Sequence, residues 1–404
     1  MWALKTAYYR TYQKIMKIVT YAIDWSEPQL LTGPGAVKKL PAFIKEKGLK
    51  KVLIVTGKRL MSLHALDGML EALQQQGIEY VIYDDRQPDP TIDNIEAARA
   101  MFIENACEGI IAFGGGSALD CAKVAAARVV RPNKPVSKMR GLLKVSKKLP
   151  PLFAVPTTAG TGSETTLAAV VSNPKTHEKY AINDPVLRPK YAVMDPELTV
   201  DLPPHITSTT GMDALTHAVE AYIGKSNVKS TRSYAERATK LIFENLETAY
   251  NDGKNMEARN NMLMGSFYAG MAFTRAYVGY VHAIAHSLGG LYGVSHGLAN
   301  AIILPVVLRA YDSAVFKDLA RLADIVGIQG ASEADKAVKF ITEIENANKR
   351  MNIPTGFTQI QEKDIDTIVS RVIREAHPLY PTPVIFTREK LTAIVRSLML
   401  PQEA

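Results

Sequence analysis

The chain has 404 residues, 47% hydrophobic and 22% charged, with a formal net charge of +8. That length exceeds one ordinary core and predicts two domains, and the composition excludes a disordered or fibrous chain. Two cysteines, Cys107 and Cys121, exclude a disulfide framework and fit free thiols in a reducing cytoplasm, the expected location.

The first stretch, "MWALKTAYYRTYQKIMKIV", is not read as a signal peptide, because Lys5, Arg10, Lys14 and Lys17 interrupt it. Trp2, Tyr8, Tyr12, Ile15 and Val19 fall near one helical face. Residues 1–20 are therefore expected to form a helical extension docked on the body or on a second subunit. The alternative is a basic helix for a membrane surface or a larger assembly. No apolar run approaches the ~20 residues of a membrane span, so none is expected.

From 21 to 203 short apolar runs alternate with helical patterns. "KKVLIVT" reads as a strand, and "MSLHALDGMLEALQQQG" as a helix closed by Gly77. "YVIYD" is a second strand, and "TIDNIEAARAMFIENA" a helix with Thr91 as N-cap. "GIIAFGGGS" is a strand entering a glycine turn, "ALDCAKVAAARVV" a helix, and "LFAVPTT", "AAVVSN" and "YAVMD" further strands. This alternation predicts a parallel sheet covered on both faces. The densest basic stretch, Lys134 to Lys148, has no aromatic interleaving and reads as a solvated loop, so no nucleic-acid partner is expected. After "DLPPH" helical patterns dominate, which places a boundary near Pro203–Pro204 and an all-helical domain over 204–404.

Two loops suggest a phosphate ligand. "GGGSALDCAK" puts three glycines before a helix, where free amides and the positive dipole end meet an anion. The register is not GxGxxG, so the usual dinucleotide fingerprint is absent. "PTTAGTGSE" follows another strand, and two such loops suit a dinucleotide at the mouth of an open sheet.

The helical half carries the second signal. Asp213 and His217 stand four apart in "GMDALTHAVE", and His282 and His286 repeat that spacing in "GYVHAIAHSLGGLYGVSHGLAN", which also holds His296. Residues four apart share a helix face. Three histidines and one aspartate offer nitrogen and oxygen ligands without sulfur, a set that suits Fe(II), Zn(II), Mn(II) or Co(II). One of the four histidines would then be left for chemistry.

Together, "GGGSALDCAK", "PTTAGTGSE", "GMDALTHAVEAY" and "GYVHAIAHSLGGLYGVSHGLANAIILP" resemble the iron-dependent (group III) alcohol dehydrogenases, over about residues 24 to 400. The resemblance implies an α/β N-terminal domain with a Rossmann-like dinucleotide site and an all-α C-terminal domain, the two-domain fold of dehydroquinate synthase. It implies metal ligation by Asp213, His217, His282 and His296, with Fe2+ as the metal and Zn2+ as second candidate, and leaves His286 as the proton-transfer residue. It places Gly115, Gly116 and Ser117 at the cofactor's pyrophosphate, Asp120 among the cofactor-binding residues, and Thr157, Thr158 and Thr161 along the cofactor. Lys179 falls by the nicotinamide-side ribose, and Leu198, Thr199 and Leu202 by the adenosine. Ala168, Phe273 and Val278 fall in the substrate pocket. A homodimer acting on a small alcohol or aldehyde is expected.

Three positions depart from the family pattern. Gly57 stands where many members carry the aspartate that reads the adenosine ribose, with Lys58 and Arg59 beside it; NADP is therefore expected as the preferred cofactor, with NAD also accepted. Asp89 stands where asparagine is common near the nicotinamide. Ala168 replaces the asparagine of lactaldehyde-reductase-like members and predicts a less polar pocket. Two other functions remain open: a glycerol dehydrogenase or dehydroquinate synthase-like enzyme on the same fold, and a non-catalytic interaction protein docking through residues 1–20.

Overall fold

The computed structural model describes residues 2–86, 90–173 and 178–401. Its contacts divide the chain into an α/β unit, Trp25–Leu202 with Lys254–Leu263, and a helical unit, Met1–Asp24, Pro203–Gly253 and Met264–Ala404. The N-terminal helix thus belongs to the helical unit, and a short stretch beyond residue 204 returns to the α/β unit.

Helix α1 (Trp2–Val19) is held by polar contacts rather than by its apolar face. Arg10 donates to the carbonyls of Thr382 (2.7 Å) and Pro383 (2.9 Å), and Gln13 Nε2 to those of Pro378 (3.0 Å) and Tyr380 (2.8 Å). Lys17 Nζ donates to the Asn227 carbonyl at 2.8 Å. Trp2, Tyr8, Ile15 and Val19, expected as the docking face, are exposed. The physical reason is that the facing segments present backbone carbonyls, which need donors, and α1 supplies them.

The α/β unit runs β1 (Gln29–Thr32), α2 (Ala36–Glu46), β2 (Lys51–Val55), α3 (Lys58–Ser62), α4 (Asp67–Gln75), β3 (Glu79–Tyr83), α5 (Ile92–Glu104), β4 (Gly109–Gly114), α6 (Gly116–Val130), β5 (Gly141–Leu142), β6 (Leu152–Pro156), β7 (Ala168–Asn173), β8 (Glu178–Asn183) and β9 (Tyr191–Met194). Six strands form a parallel sheet in the order β1-β9-β6-β4-β2-β3. Val52, Ile54, Ile111, Phe113, Phe153, Val155 and Val193 pack with α2 and α4 on one face. Leu53, Val55, Ile110 and Ala112, alternating with them, are equally buried on the face that carries α5 and α6. Burial on both faces is what continuous apolar strands require.

Thr91 caps α5 as expected: its Oγ1 accepts from Asn94 N at 3.2 Å, and Asn94 Oδ1 accepts from Thr91 N at 3.1 Å. Two readings change. The single helix expected after β2 is broken into α3 and α4 around His64, which adopts φ 56°; Gly77 does close α4, at φ 70°. "AAVVSN" is a strand but lies outside the parallel sheet: β7 pairs antiparallel with β8 in a three-stranded sheet ordered β5-β8-β7.

The helical unit contains α7 (Pro204–Ile223), α8 (Lys229–Asn251), the later part of α9 (Met256–Ala276), α10 (Tyr280–Tyr292), α11 (His296–Tyr311), α12 (Phe316–Ile325), α13 (Glu333–Arg350), α14 (Ile365–Ala376) and α15 (Arg388–Ser397). Pro204 opens α7, where a missing amide costs nothing. Gly293 closes α10 in the left-handed conformation, φ 69°. The run His296–Ile325 is long and apolar enough to cross a membrane, but its most apolar stretch is mostly buried and a 3-10 turn at Asp312–Val315 interrupts it. It has the character of a core helix pair.

Candidate metal centre and cofactor edge

Asp213, His217, His282 and His296 come together within the helical unit. One ligand atom from each lies within 4.8 Å of the other three, a geometry that could hold a metal ion. Asp213 Oδ1 is 3.8 Å from His282 Nε2 and 3.5 Å from His296 Nε2. The side chains of Asp213 and His282 are each 3% exposed and that of His296 39%, so the cluster opens on the His296 side. Three imidazoles and one carboxylate fit a divalent cation by donor chemistry.

The local sequence explains the convergence. Asp213 and His217 share a face of α7, and His282 lies in the first turn of α10. His296 is the first residue of α11, and Gly297 lets that helix start pass close to α7: a Cβ there would stand 2.5 Å from the Thr209 carbonyl oxygen. Phe273 stacks on the His217 ring at 4.1 Å and 11°, which fixes the imidazole plane.

Two residues absent from the sequence reading complete the centre. Glu220 is buried; its Oε2 accepts from His282 Nδ1 at 2.7 Å and Gly279 N at 2.8 Å, and its Oε1 from Val281 N at 2.9 Å. This carboxylate–imidazole contact orients His282 and leaves its Nε2 lone pair toward the cluster. Burial pushes the Glu220 carboxyl up to about 7, against the pull of those amide bonds. Asn300 Nδ2 donates to Asp213 Oδ1 at 2.6 Å and lies 3.2 Å from His282 Nε2 and 3.1 Å from His296 Nε2. Both were legible as spacing: Glu220 is seven residues after Asp213, and Asn300 four after His296. Burial, helped by the neighbouring histidines, holds His282 well below the usual imidazole range, in the neutral form a cation needs.

His286 stands outside the four-residue cluster. Its ring stacks on His296 at 5.1 Å, and its Nδ1 is 2.6 Å from Glu375 Oε1. Tyr380 donates to that same oxygen at 2.8 Å. Val278 is half-buried, in the link between α9 and α10.

In the α/β unit, the glycine turn joins β4 to α6. Gly115 caps α6 without a side-chain bond, so the helix start is lined by backbone, the kind of place where an anion binds. A Cβ on Gly115 would lie 3.3 Å from Thr158 Oγ1, and one on Gly116 2.9 Å from Thr161 Cγ2. The turn and the loop 156–164 therefore touch, and a side chain at either glycine would crowd the facing threonine. Thr157 N donates to the Gly114 carbonyl at 3.1 Å, locking the two together.

The loop is tethered from below by Lys123, which is fully buried. Its Nζ donates to Ser163 Oγ (2.9 Å), Thr166 Oγ1 (2.9 Å), Thr166 O (3.0 Å) and Ala168 O (2.9 Å). Asp120 accepts from Ser163 Oγ and Val170 N, both at 2.9 Å, so its carboxylate holds β7 and the loop. Burial depresses the Lys123 ammonium to about 8 and raises the buried Glu164 carboxyl to about 7. Ser117, at the start of α6, is half-buried. Thr199 Oγ1 donates to the Pro196 carbonyl at 2.8 Å, within the turn that also carries Leu198 and Leu202. Lys179 is exposed on β8 and Ala168 opens β7. Gly57 caps α3, while Lys58 is ion-paired with Asp85 and exposed, as is Arg59. Asp89 lies outside the described residues.

A parallel α/β sheet with a glycine turn at a strand end, and a helical unit with a three-histidine, one-aspartate cluster that could hold a metal ion, are the make-up of an oxidoreductase of the dehydrogenase class. Residues 28–196 match the iron-containing alcohol dehydrogenase family, and residues 207–399 match the C-terminal part of the Fe-containing alcohol dehydrogenase family. The chain belongs to this family, and its general reaction is alcohol–aldehyde oxidation and reduction. It is 37% identical to alcohol dehydrogenase 4 of Saccharomyces cerevisiae over 366 residues, covering 90% of this chain and 95% of the relative. It is 33% identical to the NAD-dependent methanol dehydrogenase of Bacillus methanolicus, covering 92% and 98%. The solved structure of a 1,3-propanediol oxidoreductase superposes with a TM-score of 0.89 at 36% identity, covering 93% of this chain and all of that one.

Proposed function

We propose that the protein is an iron(II)-dependent dehydrogenase that uses NADP(H) in preference to NAD(H) and acts on a small primary alcohol or its aldehyde. The observation that carries this is the convergence of four donor atoms within 4.8 Å, with a fourth imidazole, His286, beside the cluster. A divalent cation at Asp213, His217, His282 and His296 supplies Lewis acidity to the substrate oxygen, and the nicotinamide carries the electrons. Zinc is the second candidate for the same ligands.

The chain's own groups then have defined tasks. Glu220 holds the His282 ring, and the Asp213 charge leaves the centre a net single positive charge with a divalent ion. The amides of Gly116 and Ser117 bind the pyrophosphate, with Thr157, Thr158 and Thr161 along the dinucleotide. His286, with Nδ1 committed to Glu375, has Nε2 as the atom that exchanges a proton with the substrate side. Phe273 and Val278 offer apolar surface to the alcohol. Gly57 supports NADP, since no carboxylate stands there to repel a 2′-phosphate; the methanol dehydrogenase relative supports NAD as the alternative. A homodimer in the cytoplasm is part of the same proposal, supported by the exposed Trp2, Leu4, Tyr8, Ile15 and Ile18 on α1.

Chelation tests the reading. Stripping the metal should abolish NADPH-dependent aldehyde reduction followed at 340 nm, and Fe(II) should restore it. A stripped protein reducing aldehydes at the full rate would overturn it.

A further inference from the structure

The parallel sheet reverses direction between β2 and β4: from β2 the chain moves outward to β3, and from β4 it moves the other way to β6. Ligands of open α/β sheets bind in the crevice at such a point, outside the carboxyl ends of the strands. Gly57, two residues beyond β2, and the glycine turn beyond β4 sit on this edge. Arg86, three residues beyond β3, reaches back across it. A Cβ on Gly57 would lie 3.2 Å from Arg86 Nη2 and 3.5 Å from Cζ, and a Cβ on Gly114 would lie 3.6 Å from Nη2. The guanidinium therefore lies along the edge from β2 to β4, beside the start of α6.

Among the described residues Arg86 makes no ion pair, and its Nε is buried without a hydrogen-bond partner. Lys58, the nearer cation in sequence, is already paired with Asp85. A half-buried guanidinium with an unmet donor is costly unless an anion arrives to accept from it. An aspartate at position 57 would be that anion, built into the chain. Gly57 leaves both the space and the charge for a ligand. The pyrophosphate seat is the amide cluster at the start of α6; the Gly57 side of the crevice is where the ribose of an adenosine half is read.

We propose that Arg86 is the specificity-determining residue that binds the 2′-phosphate of NADP, with Gly57 providing the room. The inference rests on the reading that this edge holds a nicotinamide dinucleotide. The planar fork of the guanidinium suits a phosphate monoester, with two parallel donors to two oxygens.

Calorimetry with 2′,5′-ADP and 5′-AMP on the full chain, without substrate, tests it, alongside KM for NADPH and NADH on iron-loaded enzyme. In Arg86→Ala and Arg86→Gln, 2′,5′-ADP binding should weaken and KM for NADPH rise by about 10- to 100-fold, the scale of a charged hydrogen bond. 5′-AMP binding and KM for NADH should change less than about threefold, which also shows that the site is still folded. Equal losses for both nucleotides would make Arg86 a pyrophosphate contact and overturn the proposal. No loss for either would make it a solvated cation and overturn it too. If the parent chain bound neither nucleotide, the dinucleotide reading itself would fall.

Discussion

The metal centre and the phosphate edge solve opposite problems. The centre is made of side chains brought to one point, each held by another: His282 by Glu220, Asp213 by Asn300, His217 by Phe273. The edge is made of backbone, and its side chains must be kept small: Gly115 and Gly116 lie against Thr158 and Thr161. The first should fail when an atom is removed, the second when one is added. Between them in character stands the loop tether, a buried ionic cluster of Lys123, Asp120 and Glu164 that neither touches metal nor forms the turn.

Removing an atom group from the centre should give the largest effect. His282→Ala deletes one of four ligands and strands Glu220 without its imidazole partner. Metal-ion catalysis contributes several kcal/mol, so kcat/KM should fall about a thousandfold or more, with iron content falling in parallel. Elemental analysis of the purified variant checks the second half. A variant that kept its iron would mean that the ligand set is misassigned.

The tether should show itself in pH dependence. Glu164 is 2% exposed, and burial raises its carboxyl from 4.5 to about 7. The folded state therefore binds more protons than the unfolded state between those pH values, so stability falls as pH rises from about 4.5 to 7. The loss attributable to this group is on the order of 3 kcal/mol, complete above pH ~7. Glu164→Gln cannot titrate, so its unfolding free energy relative to the parent should climb over that window and level off beyond it. Denaturant unfolding at four or five pH values measures the difference, and a flat difference would remove the buried carboxyl from the account.

The same contrast explains what the sequence shows. Pairs four apart in an apolar helical pattern, Asp213–His217 and His282–His286, are visible because a helix turns side-chain spacing into proximity. Glu220 and Asn300 carry a similar spacing signal but belong to residue types that usually face water, so their burial becomes clear only once α7, α10 and α11 are placed. The parallel strands are legible as apolar runs, whereas the departure of β7 from the sheet is not. Its partner β8, "EKYAIN", is half polar and carries no run of its own. The break between α3 and α4 has no glycine or proline to mark it, and His64 takes the left-handed turn instead. The contacts of α1 with its own chain were hidden for a related reason: hydrophobic periodicity shows where apolar side chains are, not where a row of carbonyls waits for Arg10 and Gln13.

Adding a single methyl group to the edge is the smallest perturbation. Gly116 takes the helical conformation at the first position of α6, so alanine meets no backbone penalty there; if anything it favours the helix. What alanine meets is Thr161, whose Cγ2 would stand 2.9 Å and Oγ1 3.2 Å from the new Cβ. The loop 156–164 cannot retreat freely, because Lys123 and Asp120 grip Ser163 and Val170 from the other side. Crowding of this kind costs about 1–3 kcal/mol, and most of it should appear as displaced amides rather than as unfolding. Gly116→Ala should therefore raise KM for NADPH and NADH together, by roughly tenfold, while melting temperature and iron content stay near the parent values. The equality of the two cofactors is the sharp part. The pyrophosphate is common to both, so a defect confined to NADPH would mean that the turn reads the 2′-phosphate and that the division of labour with Arg86 is drawn in the wrong place.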